Sequence, residues 1–231
     1  MLEIHDLNQY YGSSHILRST NLDVLDGTCT CIMGRNGVGK TTLLKAIMGL
    51  VPVSSGSISF GGHELVGEKT VTRARVGIGY VPQGREIFPE LTVEENLLVG
   101  TFARKRATGE IPDLVFRLFP VLRSMLRRRG GNLSGGQQQQ LAIGRALTLE
   151  PKCILLDEPT EGIQPSIVHE IGEAIRRLYT EERVSVFLVE QKLPFARRVA
   201  SRFFLMERGS IVASGAMDTL SDDLVRKHLA V

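Results

Sequence analysis

One short unit constrains the fold of this chain more than any other feature: a buried strand, a glycine-rich loop and an amphipathic helix in direct succession. Residues 28–33 form an apolar run of strand length. Residues 40–50 then carry apolar side chains at helical spacing, namely Leu43, Leu44, Ile47, Met48 and Leu50. A strand that runs directly into such a loop and helix is typical of α/β folds, so we expect a mostly parallel sheet.

The loop between this strand and helix has the spacing G-x-x-x-x-G-K-[ST], the pattern of a phosphate-binding P-loop. Its glycines let backbone N–H groups face a phosphate chain, and the helix adds its positive end. Lys40 then reaches the β- and γ-phosphates, and the Thr41 hydroxyl ligates Mg²⁺. The alternative, an ordinary glycine-rich turn with a surface lysine, leaves the flanking strand and helix unexplained. We therefore predict that ATP and Mg²⁺ bind along this loop, at Gly34, Arg35, Asn36, Gly37, Val38, Gly39, Lys40, Thr41 and Thr42.

A second apolar strand, predicted at residues 153–157, ends in two acids, Asp157 and Glu158. In a parallel sheet its carboxyl end lies beside the phosphate loop. Asp157 is then placed to ligate the metal, and Glu158 to polarise a water molecule against the γ-phosphate. Strand ends are solvated in any fold, so this pair alone is weak evidence. Together with the P-loop, it predicts ATP hydrolysis with Glu158 and Lys40 as catalytic residues.

The order of predicted elements divides the chain into α/β, all-α and again α/β stretches. A single domain of residues 1–231 explains this order better than two sequential domains. Its core is expected at about 1–83 and 150–231, with an α-helical insertion at about 84–149. An antiparallel part is expected at the N-terminus, where residues 2–7 alternate like an edge strand. Other strands are predicted at 21–25, 76–81, 184–189, 202–206 and 210–214, and helices at 94–106, 112–129, 136–149 and 167–179.

Composition argues against several classes of protein. The net charge of +3 is too small to indicate nucleic acid as a partner. Cys29, Cys31 and Cys153 lie within apolar runs, so we expect reduced core residues, not disulfides or a metal site. The sequence opens without a signal-peptide pattern, and no window approaches the ~20 apolar residues of a spanning helix. We expect a cytosolic chain, or one attached to a membrane only through another chain.

Residues 133–137 lead into the helix predicted at 136–149. Taken alone, Ser134 before two glycines is an ordinary helix N-cap, and that alternative stays open. Following a P-loop, however, the segment resembles the signature motif of ATP-binding cassette (ABC) ATPases. The resemblance implies a second phosphate cradle made of Ser134, Gly135, Gly136 and Gln137. It also implies that Tyr11 stacks on adenine, and that Gln83 touches Mg²⁺ and links the core to the helical insertion.

Longer stretches are similar to the ATP-binding subunits of branched-chain amino acid importers and of their urea-transporting relatives. They comprise residues 34–39, 83–89 and 157–165, while 137–140 and 229–231 favour the urea branch. The resemblance implies an ATPase that powers uptake of urea or a related small amide, with a branched-chain amino acid importer as the alternative. A soluble ABC ATPase fits less well, because tandem cassettes and a long coiled coil are missing. Glu158 speaks against a non-catalytic nucleotide sensor.

The resemblance also implies partners. A second ATP-binding subunit, identical or paralogous, is expected in a head-to-tail dimer. Each ATP then lies between residues 34–42 of one chain and 134–137 of the other. Membrane permease subunits are expected to dock near 83–88, and a solute-binding protein to act indirectly. The chain is then peripheral, at the cytoplasmic face of the inner or plasma membrane.

Two positions depart from the pattern of the wider family. Gln191 follows the strand predicted at 184–189, where most ABC ATPases carry a histidine. Its amide still donates a hydrogen bond to the γ-phosphate but carries no charge, so we interpret it as a catalytic substitute, with loss of activity as the less favoured alternative. Residues 162–164 lack the aspartate that most members carry in the loop crossing the dimer, which weakens any account of coupling there. The three arginines at 127–129 are interpreted as a solvated face.

Overall fold

The computed structural model describes residues 1–104 and 109–229, which fold into two sheets with helices packed against them. Its strands are β1 Leu2–Tyr11, β2 Ser14–Val24, β3 Cys29–Met33, β4 Ser55–Phe60, β5 His63–Glu64, β6 Ile78–Val81, β7 Cys153–Asp157, β8 Ser185–Val189, β9 Arg202–Glu207 and β10 Ser210–Ala216. Its helices are α1 Lys40–Ile47, α2 Thr70–Val76, α3 Val93–Thr101, α4 Asp113–Leu118, α5 Pro120–Ser124, α6 Gly135–Leu147, α7 Pro165–Thr180, α8 Leu193–Val199 and α9 Asp222–His228.

The larger sheet has the strand order β10-β9-β3-β8-β7-β6, and all its neighbours except β10 and β9 run parallel. β3, β7 and β8 are buried along their whole length, as strands covered on both faces must be. Alternate residues serve the two faces: Cys31 and Leu156 pack into one apolar core, and Ile32 and Leu155 into the other. Since β3, β8 and β7 are adjacent and parallel, the loops that follow them meet at one edge of the sheet.

The smaller sheet is antiparallel, with the order β2-β1-β4-β5. The expectation of an edge strand at residues 2–7 is wrong, because β1 pairs with β2 on one side and β4 on the other and continues to Tyr11. Register shifts at Leu7 and Gln9 interrupt the alternation of its side chains, so the second half of the strand shows no clear pattern. The sequence pattern did not predict β4, because its sequence, SGSISF, is short and rich in serine and glycine.

Between β6 and β7, helices α3 to α6 follow one another, and the described residues of this stretch form no strand. α3 begins after its N-cap, Thr92, and ends at Thr101; the last residues of the helix predicted at 94–106 lie outside the described part. The single helix predicted at 112–129 is wrong, because the chain forms two short helices, α4 and α5, and then leaves the helical conformation. Pro120 has no N–H to donate and disfavours a helical Phe119, so the break falls there.

Helix α1, which follows the glycine-rich loop, is fixed at its carboxyl end by a buried arginine. Arg73 of α2 is 3% exposed, and its Nη1 donates to the carbonyl oxygens of Ala46 at 2.9 Å and Ile47 at 2.6 Å. A cation at this end complements the negative pole of the helix dipole. A side chain at Gly49 would collide with the guanidinium, so the glycine makes room for it. The sequence pattern did not reveal α2, although it anchors the helix that begins at Lys40.

Several local expectations are confirmed. Cys29, Cys31 and Cys153 are free and buried, as core residues on β3 and β7. β9 and β10 form the expected hairpin. The arginines at 127–129 are all exposed, in agreement with a solvated face.

Candidate active site

A cavity of about 670 Å³ opens at the sheet edge where the loops after β3, β7 and β8 meet. Each loop follows a fully buried strand, so its first residues are placed by the sheet and not by the loop itself. The cavity is lined by Ile16, Asn36, Gly37, Gly39, Lys40, Thr41, Thr42, Gln83, Glu158, Glu161, Gly162, Glu190, Gln191 and Lys192. The structure thus brings together residues that lie more than 150 positions apart in the sequence.

The glycine-rich loop wraps closely around the start of α1. Gly39, the N-cap, has φ of +116°, a conformation that side chains rarely adopt. A Cβ at Gly34 would collide with the carbonyl oxygen of Met206, so only glycine fits there. Lys40 is 5% exposed, and its Nζ donates to the carbonyl oxygens of Gly34 at 2.8 Å and Arg35 at 2.9 Å. Burial lowers the pKa of Lys40, and the nearby Glu158 opposes this effect.

Asp157 ends β7 as a buried carboxylate that is 1% exposed. Neither of its oxygens has a hydrogen-bond partner among the described residues. Burial raises the pKa of Asp157 to about 6, and the neighbouring Thr41 hydroxyl opposes the rise without reaching hydrogen-bond geometry. An unpartnered buried carboxylate is costly, and a bound cation offsets that cost.

The donor set around Asp157 suits Mg²⁺ better than a transition metal. Its carboxylate and the Thr41 hydroxyl supply oxygen atoms, which Mg²⁺ prefers. No group of three or more His, Cys, Asp or Glu side chains able to hold a metal occurs among the described residues. Mg²⁺ usually takes only one or two carboxylates and completes its octahedron with phosphate oxygens and water, so the residues present fit this ion.

Glu158 and Gln191, which both line the cavity, are in direct contact. Glu158 adopts φ of +48°, and its backbone N–H donates to the carbonyl oxygen of Val189 at 2.9 Å. Its Oε1 accepts a hydrogen bond from Gln191 Nε2 at 2.5 Å and lies 4.0 Å from Lys40 Nζ. The same amide nitrogen donates to Asn36 Oδ1 at 2.5 Å. Gln191 therefore bridges the glycine-rich loop and Glu158.

Gln83, which lies two residues after the end of β6, lines the cavity, whereas Tyr11 does not. Gln83 Nε2 donates to Glu161 Oε2 at 2.9 Å, which connects this segment to the loop after β7. Tyr11, at the end of β1, is 47% exposed and is not among the residues that line the cavity. Its neighbour Tyr10 stacks on His15, with ring centroids 4.0 Å apart. The stacking of Tyr11 on adenine stays a prediction.

Residues 134–137 begin α6 away from the cavity of the same chain. Ser134 is the N-cap: its Oγ accepts from the Gln137 N–H at 3.3 Å, while its own N–H donates to Gln137 Oε1 at 3.0 Å. The N-cap interpretation is therefore correct for the single chain. A Cβ at Gly135 would come within 3.0 Å of the Arg85 guanidinium, and Gly136 is buried against Ile167. A phosphate role for these residues stays a prediction that requires a second chain.

Five residues that line the cavity are missing from the sequence-based candidates: Ile16, Glu161, Gly162, Glu190 and Lys192. Ile16 comes from β2, whose first half has no clear alternation. Glu190 and Lys192 flank Gln191 immediately after β8. A charged residue directly after five buried strand residues is the signal that could have singled out Glu190.

Comparison with known proteins decides the family. A family model described as ABC transporter matches residues 17–161. The chain belongs to the ABC transporter family. Among the relatives of this ABC protein, the high-affinity branched-chain amino acid transport ATP-binding protein BraG of Pseudomonas aeruginosa is 43% identical over 92% of this chain and 91% of its own. The probable branched-chain amino acid transport ATP-binding protein LivF of Archaeoglobus fulgidus is 35% identical over 95% of this chain and 94% of its own.

Solved structures agree with this assignment. A dimeric ATP-binding cassette, solved in a post-hydrolysis state with ADP and Pi, matches with a TM-score of 0.84 and 25% identity, covering 94% of this chain and 99% of that one. The α/β fold predicted from the sequence is thereby confirmed. As an ABC protein with this site, the chain is an ATPase. No helix in the described ranges has the length and apolar character needed to cross a membrane.

Proposed function

We propose that the chain is the ATPase subunit of an importer that takes up branched-chain amino acids. The observation that carries this proposal is the 43% identity to BraG, a protein named for high-affinity transport of these solutes. LivF carries the same solutes in its name. Uptake of urea, which the sequence favoured, has no support from these relatives, so the alternative interpretation becomes the main one.

In the proposed mechanism, ATP binds with its phosphates along residues 34–42. Lys40 leaves its two carbonyl partners to reach the β- and γ-phosphates, which its position at the start of α1 permits. The Thr41 hydroxyl, Asp157 and Gln83 would hold Mg²⁺, which would supply positive charge against the phosphates. The support for this ion is the buried Asp157 carboxylate without a partner.

Hydrolysis is assigned to Glu158 and Gln191. Glu158 accepts a proton from the attacking water as general base. Its Oε1 lies 4.0 Å from the Nζ of Lys40, the residue assigned to the phosphates, which supports this role. Gln191 donates its amide hydrogen bond to the γ-phosphate and the water. Its present bonds to Asn36 and Glu158 support this role, because the amide already lies between the phosphate loop and the base.

A second cassette, identical or paralogous, completes the site in this proposal. Residues 134–137 of one chain face the phosphate loop of the other, so that two ATP molecules are held in a head-to-tail dimer. This arrangement is supported by the position of Ser134, the exposed N-cap of α6, outside its own chain's cavity. The exposed N-terminus of a helix is suited to bind phosphate.

Membrane permease subunits are proposed to dock on residues 83–88, where the helical insertion (about 84–149) joins the core (about 1–83 and 150–231). Phe88 is 45% exposed there, and Arg85 and Glu86 have positive φ, so the loop presents an apolar side chain on a defined backbone. Docking would hold the chain at the cytoplasmic face of the membrane. A solute-binding protein would deliver the amino acid to the permeases without touching this chain.

Uptake measurements in the native host test the solute. Cells whose chromosomal copy carries Glu158→Gln should lose uptake of labelled leucine, because ATP no longer turns over. Glu94→Gln is the matched control: this carboxylate is exposed on α3 and outside the cavity, so uptake should stay at the wild-type level. Loss of labelled urea uptake, with leucine uptake intact, would replace the proposed solute by urea.

A further inference from the structure

Glu190, a buried carboxylate among the residues that line the cavity, has no role in the mechanism above. It directly follows β8 and is 2% exposed. Its Oε2 accepts a hydrogen bond from the Thr160 hydroxyl at 2.8 Å. Its Oε1 accepts two backbone N–H groups, those of Gln191 at 2.9 Å and Lys192 at 3.0 Å. Both oxygens are thus used, so Glu190 differs from the unpartnered carboxylate of Asp157.

These bonds join the loop after β8 to the loop after β7. Thr160 is fully buried and lies two residues beyond Glu158. A second connection runs in parallel, because Lys192 Nζ donates to the Thr160 carbonyl oxygen at 2.9 Å. On its other side, the Glu190 N–H donates to the carbonyl oxygen of Ile32 on β3 at 3.2 Å. Glu190 therefore contacts β3, which leads to the glycine-rich loop, and the loop after β7, which contains Glu158.

We propose that Glu190 and Thr160 are positioning residues for the ATPase reaction, and that they act through Gln191. The inference rests on the proposed roles of Glu158 and Gln191. The Glu190 carboxylate fixes the backbone N–H of Gln191, and with it the point from which the amide side chain reaches Asn36 and Glu158. Hydrogen bonds to an ionised carboxylate are stronger than those to neutral acceptors, so this point is held firmly.

Removing one bond should slow turnover without weakening ATP binding. Thr160→Val deletes the hydroxyl at similar volume and leaves Glu190 Oε2 without its donor. Since a displacement of about 1 Å in a catalytic group costs about 10²-fold in rate, we expect kcat to fall by about 10- to 100-fold. The dissociation constant of Mg-ATP, measured with Glu158 intact, should change by less than about twofold, because the phosphate loop is untouched. Thr160→Ser keeps the hydroxyl and should restore most of the rate.

Double substitution separates positioning from general stability. If Thr160 acts through Gln191, Thr160→Val should lower the residual rate of a Gln191→Ala protein by much less than it lowers the wild-type rate. Equal fold-losses in the two backgrounds would overturn the inference and leave the roles of Glu158 and Gln191 standing. If Gln191→Ala alone turns over like the wild type, the proposed site itself fails, and this inference with it.

A second variant covers the case in which Thr160→Val does not fold. Glu190→Gln keeps an acceptor oxygen for the two backbone N–H groups and loses the charge that strengthens their bonds. It should lower kcat in the wild type and have little further effect in the Gln191→Ala background. Circular dichroism and the thermal midpoint of each protein verify that the compared variants are folded at the assay temperature. A wild-type kcat in Glu190→Gln would overturn the proposal.

Discussion

The buried carboxylate of Asp157 should leave a measurable mark on the pH dependence of stability. Its pKa is about 6 in the fold, against an ordinary value of 3.8, because burial penalises the charged form. The folded state therefore binds a proton more tightly than the unfolded state, and stability is lost as pH rises through about 6. Since one pKa unit corresponds to about 1.4 kcal/mol, the protein should gain about 1.3 kcal/mol from this group between pH 7 and pH 5.

Asp157→Asn isolates this contribution, because the amide does not titrate. The free energy of unfolding is measured by urea denaturation of both proteins at pH 7 and pH 5, without nucleotide or Mg²⁺. The difference between wild type and variant should shift by about 1.3 kcal/mol in favour of the wild type at pH 5, while all other groups cancel. The variant should also lose Mg²⁺-dependent turnover.

A constant difference at the two pH values would refute the reasoning, since it would mean that Asp157 has an ordinary pKa in the fold. Saturating Mg-ATP provides a further check. If the metal binds the ionised carboxylate, the wild type should lose its advantage at pH 5, because protonation then competes with the metal.

Three further predictions concern the residues around the phosphate. Lys40→Ala should weaken ATP binding by at least ~100-fold, because a buried cation that neutralises phosphate is lost; unchanged affinity in a direct titration would exclude the P-loop assignment. Glu158→Gln should still bind ATP and trap a dimer with two nucleotides, with hydrolysis reduced by roughly 10²–10⁴-fold; wild-type turnover would show that another group is the base. Gln191→Ala should lose about 10²–10³-fold in steady-state ATPase activity. Gln191→His should keep part of the rate and acquire a new pH dependence near 6–7, whereas the wild type should show none from an imidazole.

The sequence was most informative where function and local structure coincide. The glycine-rich loop needs glycines at Gly34 and Gly39 for steric reasons, and such requirements are visible in a sequence. Asp157 and Glu158 could be placed because an apolar run of four residues ends just before them. The parallel sheet then brings this strand end beside the loop without further information.

The pairing of distant strands and the geometry of side-chain contacts could not be predicted from the sequence. β4 is held by its pairing with β1, and its own residues have weak strand propensity. α2 carries Arg73, which donates to the backbone carbonyl oxygens of residues 27 and 26 positions earlier in the sequence. Backbone oxygens are present at every residue, so such partners have no sequence signature. The solute could not be predicted from these residues for a different reason: the proposed importer binds it on other subunits, so no residue of this chain needs to recognise it.

The three buried thiols make the two faces of the central sheet separately observable. Cys29 and Cys31 belong to one apolar core, and Cys153 belongs to the other. Burial raises the pKa of all three, that of Cys153 to about 12, and only the thiolate reacts rapidly with alkylating reagents. Each thiol is therefore labelled only when its own core opens to solvent. The ratio of labelling rates at Cys31 and Cys153 thus reports whether the two apolar cores of this ABC protein open as one cooperative unit or as two.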